Sequence, residues 1–497
     1  MIERDVEKAE GRYDVAIVGG GVYGIATLLE AARRGLRAVL LERDDFGGAT
    51  SWNSLRILHG GLRYLQTLDV ARFRESVRER RWFCWHFPEL VRPLPCLMPL
   101  YGRGLKRPTT MRTALWMNDH LSRHRNCGVD PGLHLPDGVM LSADETATWF
   151  SQVDRQGLQG GALWYDAVMV NSQRVLMEML RWACACGGRA LNYVEACELM
   201  MEAGRVRGVV GADVVSGRRV EVEAEVVVNC GGPWVGEVAG RFGIEHETTG
   251  LFRPSLAFNV LVDRPAMSRA ALAVQGPEAG SPVWFVQPWR GRMLAGTVHA
   301  AWSGAVGGVG PDEAQVEGFV SALNAALPGL ELARSEVVRV YAGLLPALQE
   351  GGAALMSRPV IRVHGEDGEA DGLVGLVSVS GVKFTTARDV AERTLRLVWA
   401  MRGGLPEYQP GSGRPVMHPC LDLTSPESLF RGEASFTRAE VARIVREEAV
   451  VKLEDLLLRR TDWACDESQA DAVAGRVASL LDEAGGALAH RHSHPAR

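Results

Sequence analysis

Residues 13–24 of this 497-residue chain read YDVAIVGGGVYG, an apolar strand that runs directly into the motif GxGxxG. The next apolar segment, AVLL, ends at Glu42. In a dinucleotide site Gly19 makes a tight turn, Gly21 lets the backbone approach a pyrophosphate, and Gly24 lets helix and strand pack closely. The carboxylate of Glu42 can accept hydrogen bonds from a ribose diol. The segment therefore predicts a Rossmann-type βαβ unit with a pyrophosphate at the start of its helix.

The composition excludes several classes of protein. The hydrophobic fraction of 46% and the charged fraction of 23% are those of an ordinary globular protein, and the length allows two or three domains. A net charge of -5 gives no general reason to bind nucleic acid, so we predict no nucleic-acid partner. The nine cysteines lack CxxC spacing, which favours reduced thiols over disulfides or a zinc site. We therefore expect a cytoplasmic protein with no metal site and no transmembrane helix.

A basic, partly apolar segment covers residues 103–125, where six arginines and lysines stand among apolar side chains. Such a segment can lie on an anionic membrane surface, which would place the protein peripherally on the inner face of the membrane. A helix of the substrate domain with a solvated basic side is the alternative interpretation. The sequence leaves the oligomeric state open.

The order of strand and helix patterns predicts an α/β protein. We expect a Rossmann-type domain with an interleaved mixed-sheet substrate domain and a C-terminal helical domain. The main domain covers residues 12–402, with nucleotide-binding segments at about 12–69, 145–245 and 340–402 and substrate segments at about 70–144 and 246–339. A Gly- and Pro-rich linker, the helical domain and a disordered tail follow at residues 403–419, 420–484 and 485–497.

Motifs spread over nearly the whole chain resemble one family. They are LRILHGGLRYL at residues 55–65, VVNCGGPWVGEVA at 227–239, VSVSGVKFTTARDVAE at 377–392 and LEDLLLRRTDWAC at 453–465. The sequence resembles the FAD-dependent glycerol-3-phosphate dehydrogenases, within the D-amino-acid-oxidase-like flavoproteins. The resemblance implies FAD as the cofactor, a small anionic polyol phosphate as the substrate, and a quinone or another electron acceptor as the partner.

The resemblance also assigns cofactor-binding residues in three loops. The first loop, beside the pyrophosphate and the flavin, contributes hydroxyl groups, although ordinary loop hydrogen bonding is the alternative interpretation. The second would let the backbone pass close to the ribityl chain. The third starts a helix whose N–H groups can stabilise negative charge near N1 and C2=O of the flavin. The loops contribute, in this order, Thr50, Ser51 and Ser54; Gly231 and Gly232; and Gly381, Lys383 and Thr385.

The substrate site combines family residues with departures from the family pattern. The resemblance assigns the anionic end of the substrate to four residues, Arg63, Tyr64, Arg358 and Lys383. Three positions differ from the family: Leu345 replaces an arginine, Phe258 stands at the expected place of a histidine near the reacting carbon, and His299 replaces an acid. These differences change which substrate the pocket can hold.

The expected reaction is the oxidation of a secondary alcohol by hydride transfer to flavin N5, with His59 and His299 as candidates for the base. His59 can also be read as a core histidine with satisfied nitrogens. One alternative function is an amino-acid or hydroxy-acid oxidase or dehydrogenase of the same superfamily, with an arginine pairing with a carboxylate. Another is a flavoprotein without enzymatic activity, motivated by the losses at Leu345 and Phe258.

Overall fold

The computed structural model describes residues 1–102, 107–244, 248–276, 280–365, 373–402, 413–414, 434–464 and 470–483. The strands of these residues are β1 (Gly11–Val18), β2 (Ala38–Leu41), β3 (Ile57–Leu58), β4 (Val91–Leu100), β5 (Val139–Leu141), β6 (Gly160–Met169), β7 (Arg189–Leu191), β8 (Val194–Glu202), β9 (Arg205–Asp213), β10 (Arg219–Asn229), β11 (Pro254–Val262), β12 (Ala271–Gln275), β13 (Val283–Trp289), β14 (Arg292–Ala301), β15 (Val337–Pro346), β16 (Val360–Val363) and β17 (Leu376–Ser380). The helices are α1 (Val22–Arg33), α2 (Val70–His86), α3 (Pro108–Leu121), α4 (Ala143–Trp149), α5 (Ser172–Ala185), α6 (Val235–Arg241), α7 (Thr248–Leu251), α8 (Glu313–Ala326), α9 (Ala387–Arg402), α10 (Ala434–Glu447) and α11 (Ala470–Glu483).

The first sheet has the strand order β16-β17-β10-β1-β2-β7, with β9 and β8 extending it from β10. Strand β1 pairs in parallel with β10 and β2, and β10 pairs in parallel with β17. The inner residues of β1 are buried on both faces, as expected for a central parallel strand. The carboxyl ends of β1, β10 and β17 therefore meet at one edge of the sheet, directly before Gly19, Cys230 and Gly381.

The second sheet has the order β15-β11-β14-β13-β12-β4-β6-β3 and is mixed, since β12 pairs in parallel with β4 while the other neighbours are antiparallel. The predicted fold class, with a nucleotide-type sheet and a mixed second sheet, is confirmed. Strand β6 lies within the segment expected to belong to the nucleotide-binding part, yet it pairs in the second sheet. The domain limits given above remain a proposal.

The C-terminal helices α10 and α11 flank a short π-helix, Asp455–Arg460, which packs against α5. Two buried ion pairs hold this segment: Arg460 bonds both carboxylate oxygens of Asp45, and Arg174 bonds both oxygens of Glu448. Such pairs specify a unique docking geometry because an unpaired buried charge is costly. The expected disordered tail, residues 485–497, lies outside the described residues, as does the linker except residues 413–414.

Within the basic segment, Pro108–Leu121 form helix α3, whose Met111 and Leu115 are buried, whereas residues 103–106 lie outside the described residues. Trp116 on this helix is 65% exposed, whereas Arg125 is buried and bonds Asp137 and the carbonyl of Leu135. Arg125 is therefore not available to a membrane surface. In the part of the chain that the structure describes, we find no helix whose length and hydropathy would let it cross a bilayer.

The Gly24 position sets the packing of α1 on β1. A Cβ atom added there would overlap the carbonyl oxygen of Gly19. We expect Gly24→Ala to lower the free energy of unfolding by about 2–3 kcal/mol, because a backbone atom cannot move aside as a side chain can. Urea denaturation followed by tryptophan fluorescence measures the change.

Gly318 is the matched control for this substitution. It lies in α8, and a Cβ atom added there meets no atom within 4 Å. Gly318→Ala is expected to raise the free energy of unfolding by about 0.5–1 kcal/mol through helix propensity. Equal urea midpoints for Gly24→Ala and the unsubstituted protein would contradict the packing argument.

Candidate functional site

A cavity of about 1710 Å³ lies at the carboxyl edge of the first sheet and extends along one face of the second. Its wall is formed by the three turns after β1, β10 and β17, by the loop of residues 47–54, and by residues of α3, β11, β14 and β15. Lys452 and Arg459 of the C-terminal segment complete it. Ligands of open parallel sheets bind at this edge.

The glycine turn has the geometry predicted from the sequence. Gly19 has a φ of +102°, and a Cβ atom there would lie 2.5 Å from the carbonyl oxygen of Cys230. Gly21 precedes the first residue of α1, so the free N–H groups of that helix start point into the cavity region. The hydroxyl of Ser51 accepts a hydrogen bond from Val22 N at 3.0 Å. Ser51 therefore lies directly beside the predicted pyrophosphate position.

Glu42 stands at the end of β2 and lines the cavity. Its two carboxylate oxygens accept hydrogen bonds from Gly20 N at 2.6 Å and Asp44 N at 2.8 Å. Burial raises the pKa of this carboxyl to about 7. Each oxygen keeps a second lone pair, so a ribose diol can still donate to it. Ribose binding by Glu42 stays a prediction.

The other loop hydroxyls are engaged within the protein. Thr50 donates to the carbonyl of Leu344 at 2.9 Å, which ties the loop to β15. Ser54 accepts a bond from Arg56 N at 3.3 Å. Both residues line the cavity. These bonds agree with ordinary loop hydrogen bonding, and cofactor contacts by the two side chains stay a prediction.

The two later turns bring their predicted residues to the same cavity. Gly232, with a φ of +55°, and Gly231 follow β10, and Gly231 N donates to the side chain of Asn229 at 3.1 Å. A Cβ atom at Gly381 would overlap the ring of Tyr23. Thr385, in the turn before α9, is buried and lines the cavity.

His59 lines the cavity with 45% of its side chain exposed, and its Nδ1 lies 3.0 Å from Oδ2 of Asp166. Asp166 is buried and also bonds Gly60 N and Arg80. The His59 bond and the charge of Arg80 outweigh its burial and lower the pKa of this carboxyl to about 2. Asp166 is thus ionised and holds the proton of His59 on Nδ1, so Nε2 can accept a proton.

Three cations of the site lie near one aromatic ring, and one of them, Arg72, has its Cζ 5.7 Å from the ring centre of Tyr64 and an ion pair with Asp69. Lys383 Nζ lies 4.3 Å and Arg63 Cζ 5.3 Å from the ring centre of Tyr64, which is buried. Burial, together with the charge of Arg63, lowers the pKa of Lys383 to about 8. Burial also lowers the pKa of Arg63, and burial and Arg63 lower that of His299. In the ranges described above, neither Arg63 nor Lys383 has a carboxylate within 4.0 Å, so the cluster is suited to an anion.

Arg358 differs from the other three predicted anion ligands, because the small pocket that it borders only adjoins the large cavity, at Ser357 and Lys383. It is exposed and borders a separate pocket of about 40 Å³, whose wall also includes Lys383. Arg358 is not part of the wall of the large cavity. A direct contact between Arg358 and a substrate there stays a prediction.

The expectation that Phe258 faces the reacting carbon is wrong. Phe258 is fully buried on the other face of β11, where its ring packs against Phe319 at 5.9 Å. Side chains alternate along a strand, so its neighbours Ala257 and Asn259 line the cavity instead. Leu345 and His299 do line the cavity, as predicted.

Sequence reasoning missed several residues of the site. Tyr23 is one: its hydroxyl donates to the carbonyl of Lys383 and accepts from Lys383 N, at 2.8 and 2.9 Å. Its position inside GxGxxG was visible, but its partner 360 residues away was not. Asp166 and Asn259 stand within strands and belong to no motif, so no local signal could identify them.

The comparisons with known proteins agree with this geometry. A family model described as FAD dependent oxidoreductase matches residues 14–396. A glycerol-3-phosphate dehydrogenase of Synechocystis is 30% identical over 424 residues, covering 83% of this chain and 73% of the relative. Glycerol-3-phosphate dehydrogenase 2 of Mycobacterium bovis is 31% identical over 387 residues, covering 76% of this chain and 62% of the relative.

A solved structure gives the same fold. The glycerol-3-phosphate dehydrogenase of Bacillus halodurans, complexed with FAD, superimposes with a TM-score of 0.65 at 19% identity. The match covers 97% of this chain and 92% of that chain. At this identity the likeness concerns the fold alone.

Proposed function

This chain belongs to the family of FAD dependent oxidoreductases, and from that premise we propose that it oxidises glycerol 3-phosphate or a related polyol phosphate. The electrons would pass to a quinone or another acceptor. The names of the relatives support this substrate class. The observation that carries the proposal is the pair of cations, Arg63 and Lys383, beside the buried ring of Tyr64 in the cavity.

The residues of the cavity fit FAD. Bare glycines stand where side chains would block the three turns, and the free N–H groups of the α1 start suit a pyrophosphate. The cavity, of about 1710 Å³, is lined from Glu42 to the Gly381 turn and has room for a dinucleotide. When bound, FAD supplies a ring that accepts a hydride from the substrate carbon.

Two sets of side chains would act on the substrate: one set would bind its phosphate, and the other would accept its hydroxyl proton. Arg63 and Lys383 would bind the phosphate, because its negative charge stabilises the charged forms of both side chains. His59 would take the hydroxyl proton at Nε2, because Asp166 keeps the other nitrogen protonated. His299, lying near Arg63, is the second candidate for the base.

Leu345 and Ala342 contribute apolar side chains to the cavity wall. A second charged group of the substrate that met these two side chains would lack a partner, at a cost on the order of a few kcal/mol. We therefore propose a polyol phosphate substrate with one charged end, which binds at Arg63 and Lys383.

Anaerobic mixing of the flavin-loaded protein with glycerol 3-phosphate tests the function. Bleaching of the flavin band within seconds supports it. The same protein is mixed with a panel of polyol phosphates and with amino and hydroxy acids. Reduction by an amino acid alone would replace the proposal with the oxidase alternative, and no response to any compound would remove the enzymatic proposal.

The pKa of Lys383 predicts how substrate affinity depends on pH. Since this pKa is lowered to about 8, the side chain is charged below that pH and becomes neutral above it. We expect the affinity for a phosphate-bearing substrate to fall about tenfold between pH 7 and pH 9. KM measured across this range is the test.

Lys383→Arg supplies the control, because a guanidinium stays charged throughout the range. We expect the KM of this variant to stay constant between pH 7 and pH 9. A flat profile in the unsubstituted protein would contradict the role of Lys383 in anion binding.

We also propose a cytoplasmic protein that contacts the inner membrane face peripherally through α3. The exposed Trp116 and Arg112 of that helix support this contact. Co-sedimentation with anionic lipid vesicles, compared with neutral vesicles, tests it. If the protein sedimented with neither anionic nor neutral vesicles, the membrane proposal would be wrong.

A further inference from the structure

Two adjacent arginines of the C-terminal segment have opposite surroundings. Arg460 is fully buried and bonds Asp45 at 2.6 and 2.8 Å and the carbonyl of Glu448 at 3.0 Å. Arg459 is 14% exposed, yet its Nε and Nη1 are buried and find no hydrogen-bond acceptor in the part of the chain that the structure describes. The π-helix Asp455–Arg460 places one guanidinium in the protein and the other at the cavity wall.

Arg459 lies against the loop that follows Glu42. A Cβ atom added to Gly48 would be 3.5 Å from Arg459 Nε, and Arg459 Cζ is 5.4 Å from the ring centre of Trp52. The loop itself touches the glycine turn, since Gly47 N donates to the carbonyl of Gly20 at 2.9 Å. The guanidinium therefore lies beside the loop whose Gly47 contacts the glycine turn and whose Ser51 bonds the start of α1, where the cavity is suited to phosphate.

The charge of Arg459 is poorly balanced by the protein. The carboxylate of Glu454 lies 3.8 Å from Nη1, but this side chain is 60% exposed, and water screens such a pair. The carboxylate of Asp45 already bonds Arg460 and Asn192. Burying a guanidinium without acceptors for two of its N–H groups costs free energy, unless a bound anion accepts hydrogen bonds from them.

We propose that Arg459 donates hydrogen bonds to the pyrophosphate of FAD, so that the C-terminal helical segment supplies part of the cofactor site. Arginine suits this role because its planar donors match phosphate oxygens. The buried pairs of Arg460 with Asp45 and of Arg174 with Glu448 hold the segment in place for this contact. The inference rests on membership of the FAD-dependent family and is independent of the proposed substrate.

Titration of the full-length apoprotein with FAD tests the proposal. We expect Arg459→Met to raise the Kd for FAD about 10- to 100-fold, and Arg459→Lys to raise it less. Adenosine diphosphate, which carries the pyrophosphate without the flavin, should lose affinity by the same factor. Riboflavin, which has no phosphate, should bind both proteins equally.

Arg446→Met is the matched control, since Arg446 is an exposed arginine of α10 in the same segment. It should leave the Kd for FAD unchanged. Thermal unfolding of the apoproteins separates the proposal from a structural role: removing an unsatisfied buried cation should leave the apoprotein Tm equal or higher. An unchanged Kd for FAD, an equal loss for riboflavin, or a lowered Tm of the Arg459→Met apoprotein would overturn the proposal.

Discussion

Replacing Arg63 with methionine is expected to lower kcat/KM for glycerol 3-phosphate by roughly 100- to 1,000-fold. The guanidinium has no carboxylate within 4.0 Å among the residues that the structure describes, and burial already lowers its pKa. Its charge is therefore available to the substrate, and Lys383 alone would have to hold the anion in the variant. Steady-state kinetics with a dye as electron acceptor measures the effect.

Two comparisons test whether the loss arises from the contact between Arg63 and the phosphate of the substrate. Glycerol lacks the phosphate, so the preference for glycerol 3-phosphate over glycerol should shrink by about the same factor. Arg358→Met removes an equal charge that borders the small pocket rather than the large cavity, and we expect it to lower kcat/KM less than Arg63→Met does. A larger effect at Arg358 than at Arg63 would reverse our assignment of the anion site.

Replacing His59 with glutamine is expected to slow flavin reduction by about 100- to 10,000-fold, with little change in substrate affinity. The ionised Asp166 holds the proton of His59 on Nδ1, which leaves Nε2 to accept the hydroxyl proton. Glutamine keeps the polarity of the site but cannot act as a base. Single-turnover mixing without oxygen, followed at the flavin band, measures the chemical step directly.

His299→Gln is the control for this prediction. His299 lies near Arg63, and its lowered pKa keeps the imidazole neutral at pH 7. We expect its replacement to slow flavin reduction by less than about tenfold. The opposite ranking of the two variants would make His299 the base and His59 a histidine that only supports the structure through Asp166.

Local patterns predicted the framework of the site correctly. A tight turn, a helix start and a buried strand depend on residues close together in the chain, so GxGxxG and the turn at Gly381 were recognisable without a structure. The family resemblance then located His59, Arg63 and Lys383, which the structure brings into one cavity.

Register and long-range pairing were not predictable in this way. Phe258 was assigned to the cavity, but a shift of one residue along β11 moves a side chain to the opposite face of the sheet. Strand β6 was assigned to the nucleotide-binding segments, although its partner is β4 of the second sheet. Asp166, the partner of His59, lies on that strand.

The amino-acid sequence alone determined the nucleotide fold, the family and the glycine turns, because steric rules act over a few residues. Only the tertiary structure decided which face of β11 borders the cavity, that Asp166 orients His59, and that Arg459 reaches the cavity from the end of the chain. These features depend on contacts between residues more than a hundred positions apart. Such contacts form when sheets and helices pack, so no local pattern encodes them.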